Sequence, residues 1–212
     1  MNKKIVGTIV GIIGIILVAG LIVGMFLFQN KENGIEEEPV VDVSALTELL
    51  LRDIDKNYPP TPKEVLKYYS EITCCFYNDE LTQEQLESLA ERSYELYDEE
   101  LKNNMSMEQY KTDLQQDILD FRGQNIVVSG YSLSASADVE RFSQDGYDWA
   151  RLYATYRLRQ GTEYVYSNEV FVLRKDTEGH WKIYGFELAN TEEDDTISTE
   201  TSEVASASDN KQ

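Results

Sequence analysis

From Ile5 to Phe28 the chain runs for 24 residues without a charge, and Thr8 is the single hydroxyl in the run. A helix rises about 1.5 Å per residue, so this segment reaches roughly 36 Å. The hydrocarbon core of a bilayer is about 30 Å thick, so such a helix spans it with some tilt. It also satisfies its backbone polar groups internally, as lipid demands. Lys3 and Lys4 precede the run, and Lys31, Glu32, Glu36, Glu37 and Glu38 follow it. The positive flank belongs in the cytoplasm, so everything downstream is expected outside the membrane. A cleaved signal peptide has a shorter apolar region, about 7–15 residues, ending at a small-residue site. This run is longer and ends Met25-Phe26-Leu27-Phe28-Gln29, with no following lipoprotein cysteine. The expectation is an uncleaved single-pass anchor behind a cytoplasmic stub of residues 1–4. Gly7 and Gly11, and again Gly20 and Gly24, stand four apart. That spacing lets helix backbones approach and leaves a homo-oligomer open, although glycine is common in membrane helices in any case.

Beyond the anchor the sequence divides into an acidic linker (29–44), one domain (45–189) and an acidic Ser/Thr-rich tail (190–212). The formal charge of −20 is spread over all three. An acidic surface repels phosphate backbones, so nucleic acid is a poor partner. The tail holds few large apolar residues and is expected to be disordered. The two cysteines, Cys74 and Cys75, are neighbours. Neighbours on a helix diverge by about 100°, which suits neither a bridge nor a shared metal, so they are expected as buried or half-buried thiols.

About four helices are expected first. Leu46, Leu49, Leu50 and Ile54 recur at helical spacing from Ser44 to about Lys56, with Ser44 as a cap. The block Asn57-Tyr58-Pro59-Pro60 stops that helix. Thr61, Pro62 and Glu64 then start a second, to about Tyr77, with Val65, Tyr69, Ile72 and Phe76 as its buried stripe. Thr82 with Gln85 opens a third, to about Leu101, and Ser106 with Gln109 a fourth, ending at Arg122 and a left-handed Gly123. From Asn125 the texture becomes aromatic and β-branched, with four strands expected at about 125–139, 147–159, 164–174 and 181–188. The short connections between them join antiparallel neighbours. Helices first and a strand meander second predict an α+β fold, with the helices packed on one face of a four-stranded sheet.

The run VFVLRKDTEGHWKIYGFEL, residues 170–188, resembles the closing hairpin of the nuclear-transport-factor-two-like superfamily. There too a strand ends in a charged turn with glycine and returns as a Trp-Lys-Ile strand. The segment NYPPTPKEV…YYSEI…CFYN, within residues 57–78, is similar to a family of uncharacterised membrane-anchored bacterial proteins. The first resemblance implies a cone-shaped fold with a cavity between sheet and helices. It implies no single function, because that superfamily holds isomerases, dehydratases, binding domains and secretion scaffolds.

No serine triad, P-loop, CxxC pair or HExxH motif is present, and no cofactor, metal or catalytic set is expected. The lone His180 lies beside a turn, where histidines are usually solvated. Asp148, Glu163, Glu169 and Glu187 lie in strands and could point inward. Glu169 could instead pair with Arg151 across the sheet, in one of two registers. Trp149, Arg151, Tyr153, Arg157 and Arg159 share the face opposite Ala150, Leu152, Ala154, Tyr156 and Leu158. Aromatics with arginine suit a binding surface, and equally a cross-strand ladder. The functional expectation is a tethered extracytoplasmic binding module on the outer side of a bacterial cytoplasmic membrane. The alternatives are a scaffold subunit of an envelope assembly, or an enzyme using an inward carboxylate on a small hydrophobic substrate.

Overall fold

A computed structural model describes residues 43–189. The expected anchor at Ile5–Phe28, its glycine pairs, most of the linker and the tail lie outside the described residues. Among the described residues no helix is long and apolar enough to cross a membrane.

Among the described residues five helices precede five strands. They are α1 (Val43–Leu51), α2 (Pro62–Asn78), α3 (Gln83–Glu95), α4 (Glu99–Asn104) and α5 (Met107–Gly123), then β1 (Ile126–Leu133), β2 (Glu140–Gln144), β3 (Tyr147–Gln160), β4 (Glu163–Lys175) and β5 (Trp181–Leu188). The start signals read from the sequence sit where expected. Thr61 accepts the Glu64 N–H, with proline in the first turn of α2. Thr82 and Gln85 form a reciprocal capping box on α3, and Ser106 caps α5. Ser44 is already the second residue of α1 rather than the residue before it. That helix also ends early, at Leu51. The Arg92 guanidinium takes the carbonyls of Leu50 and Arg52, each at 2.6 Å, which answers acceptors left open at a helix end.

One helix divides where a single one was expected, and the sheet gains a strand. The third helix breaks at Leu96–Asp98 because backbone there joins the edge of β5. Ile183 donates to the Leu96 carbonyl, and Asp98 donates to the Ile183 carbonyl, both at 2.8 Å. Asp98 then caps α4 through the Glu100 N–H at 2.9 Å. The first strand, expected over 125–139, ends at Leu133 before a 3₁₀ turn at Ser136–Asp138. β2 follows as a fifth strand beyond the four expected, so that both β1 and β2 pair with β3. The left-handed residue after α5 is Asn125, with φ 55°, rather than Gly123.

The sheet is antiparallel throughout, in the order β1-β3-β4-β5 with β2 on the far half of β3. Its hairpins follow their turn chemistry. Asp145 and Gly146 both take positive φ, and Gly161 does so at the first loop position of the β3–β4 turn, the requirements of I′ and II′ turns respectively. The helices cover one face. Val65, Tyr69, Ile72 and Phe76 of α2 meet Ala150, Leu152, Ala154, Tyr156 and Leu158 of β3 in a single buried core. The Asn78 side chain bonds the backbone N–H and carbonyl of Val128, where the β1 register shifts.

Candidate functional site

The β3–β4 register decides which carboxylate enters the core. The loop makes Gln160 face Glu163, and the ladder continues to Arg151 opposite Val172 and Ala154 opposite Glu169. Arg151 and Glu169 therefore do not pair, and they occupy opposite faces of the sheet. Arg151 approaches Glu140 at 3.5 Å instead. Among the strand acids considered from sequence, Asp148, Glu163 and Glu187 are exposed and Glu169 alone is buried, at 8% exposure.

Inward along β4 come Val165, Ser167, Glu169, Phe171 and Leu173, an apolar alternation interrupted by two polar residues. Ser167 donates to Glu169 Oε1 at 3.3 Å, the single protein hydrogen bond to this carboxyl among the described residues. Burial pushes the Glu169 carboxyl up to about 7, with Ser167 pulling weakly the other way.

Glu169 opens on a cavity of about 50 Å³ between α2, α5 and the sheet, lined mainly by Tyr69, Phe76, Tyr77, Phe121, Tyr156 and Phe186. Thr73 and Phe186 are its half-buried members. Most of the tyrosine hydroxyls are already used elsewhere. Tyr69 bonds Tyr97 at 3.2 Å, Tyr156 bonds Ser70 at 2.9 Å, and Tyr110 bonds Ser93 at 2.6 Å. Burial raises the pKa of all three hydroxyls above the usual phenol range, so they stay protonated. What they offer the cavity is ring surface. One water needs about 10–15 Å³ of such space, so the cavity suits three to five heavy atoms and not a drug-sized ligand.

The outer sheet face is a ladder whose cations are engaged. Arg157 bonds Ser129 through Nε at 3.0 Å and lies 5.5 Å from the Tyr164 ring. Arg159 donates to the Gly161 carbonyl at 3.3 Å, and Arg151 sits 6.0 Å from the Tyr153 ring. Trp149 is buried in a cluster that the sequence did not foreshadow. Arg174 grips Asp98 at 2.6 and 3.0 Å and Glu100 at 2.7 Å. Its guanidinium lies 4.7, 5.5 and 4.9 Å from the rings of Tyr147, Trp149 and Tyr184. Phe142, Tyr147, Tyr153 and Tyr166 are the exposed aromatics of this face.

His180 is half-buried rather than fully solvated, stacked on Tyr58 at 4.3 Å. Ligand atoms of Asp176, Glu178 and His180 come within 4.8 Å of one another. Asp176 already serves the turn, accepting the N–H groups of Glu178 and His180. The cysteines are free, one buried and one half-buried. Burial pushes both thiols up to about 12, which leaves them poor nucleophiles at neutral pH.

The arrangement defines an α+β domain with one helix-covered sheet face and a small aromatic cavity closed on a single carboxyl. The chain belongs to the family described as domain of unknown function DUF6715, which it matches over residues 1–186. No curated protein matches it.

Proposed function

We propose that the chain is a membrane-tethered extracytoplasmic binding module that takes a small ligand between its helices and sheet, with Glu169 as the polar contact. One observation carries this reading. Glu169 is a nearly buried carboxyl with one long hydrogen bond, facing space walled by rings. A buried polar group with incomplete hydrogen bonding is costly, and a ligand in the adjoining space would complete it. The tether is supported by the apolar run and its flanking charges. The family match takes in that run and stops before the tail. The order of helices and strands also supports kinship with the cone-shaped superfamily.

Two experiments test it. Protease added to intact, wall-stripped cells should degrade the domain, and a protected domain refutes the topology. A fragment screen by thermal shift on the full chain should return small ligands whose effect disappears in Ser167→Leu, which fills the cavity. Hits unaffected by that change would place binding elsewhere.

A proton-transfer enzyme is the second reading. It is favoured specifically by the Glu169 carboxyl at about 7, suited to gaining and losing a proton near neutrality. Turnover of a hit compound, abolished in Glu169→Gln, would select it over simple binding.

A further inference from the structure

We propose that the ligand is a small alkylammonium ion, held with its charge against Glu169 and its carbons against the aromatic walls. This deepens the cavity reading and rests on it. The chemistry is set by what the cavity has and lacks. It has ring surface from α2, α5, β3 and β5, and one carboxyl. Among the described residues neither lysine nor arginine lines it, so none of them neutralises an ionised Glu169 there.

A cation against aromatic faces is attracted by their quadrupoles, most strongly where water is excluded. A charge-assisted bond to a carboxylate adds to that attraction. An anion is repelled by the ring faces and by any charge on the carboxyl, and a neutral alcohol gains neither the charge-assisted bond nor the attraction of a cation to the rings. Space for three to five heavy atoms fits an ammonium group bearing two to four carbons.

Binding should release a proton. The titratable groups lining the cavity beside Glu169 are Tyr156 of β3, Tyr69 and Tyr77 of α2 and Tyr110 of α5. Burial raises all four further from neutrality, so they stay protonated. Asp117 of α5 acts on Tyr77 and Tyr110 and does not line the cavity. The proton therefore leaves the Glu169 carboxyl, which ionises as the ammonium arrives.

The test is calorimetry on the full chain in lipid nanodiscs at neutral pH, with propylammonium chloride and 1-propanol as probes. Propylammonium is expected to bind about tenfold or more tighter than the alcohol. Its heat should vary with the ionisation enthalpy of the buffer, as proton release requires. Glu169→Gln should remove the preference and the buffer dependence together. Phe186→Leu, which deletes a ring at the half-buried edge, should weaken the cation more than the alcohol. Equal binding of both probes, or tighter binding of propanol, overturns the ammonium assignment and leaves a ligand cavity standing. If neither probe binds, the cavity is no site and both readings fall.

Discussion

Glu169 shows how one side chain couples stability to pH. Its carboxyl is raised from 4.5 to about 7 by burial. The folded state then holds a proton that the unfolded chain releases, so the contribution of this group is fully present below pH 4.5 and is lost as pH climbs through 7. Glu169→Gln removes that loss and should make the protein more stable than wild type at pH 8, by on the order of 3 kcal/mol. Urea midpoints at pH 5 and pH 8 measure it, and an unchanged pH slope would refute the burial argument. Arg174 is the opposite case, a charge whose partners are present. Asp98 is 3% exposed, and Arg174→Ala leaves it buried and unpaired, a loss of about 3–5 kcal/mol. Chemical denaturation of the variant checks this value.

At the scale of elements, the boundaries follow where backbone groups find partners. α1 ends where Arg92 takes its last carbonyls. Arg92→Ala should therefore speed amide exchange in residues 43–56 while leaving α5 unchanged, as hydrogen-exchange mass spectrometry would read directly. The β3–β4 hairpin depends on Gly161, whose φ of +60° lies in a region costing other residues about 1–2 kcal/mol. Gly161→Val should lose about that much by thermal melting. The register this turn sets carries Glu169 inward, so the same turn governs the site.

At the largest scale, the described helices form a single layer on one sheet face, and the cations and aromatics of the other face are mostly engaged with one another. The pH response is also shared. Asp117 on α5 is 1% exposed, its Oδ2 has no partner, and burial pushes it up to about 7. Two buried carboxyls of the same sign of shift make the domain more stable in mild acid than above neutrality. The double variant Glu169→Gln, Asp117→Asn should flatten the stability profile from pH 5 to pH 8 more than either change alone.

Much of this fold is local in origin and was legible from the sequence. Caps at Thr61, Thr82 and Ser106, the α2 stripe and the turn glycines act within a few residues of chain. So did the α+β order and the inward face of β3, because strand side chains alternate with a fixed period of two. The Ser167 and Glu169 interruption of an apolar alternation was a readable signal, and the two-residue Gly161-Thr162 loop would have supplied the register. Other features depend on partners far along the chain. Tyr97 and Asp98 leave their helix to pair with Ile183, Arg174 reaches Asp98, and Asn78 serves Val128. Nothing in a short window of residues encodes those choices. Sequence alone determined which residues could be inside. Packing in three dimensions decided which carboxylate went there, because desolvation acts on a group only once its neighbours have arrived.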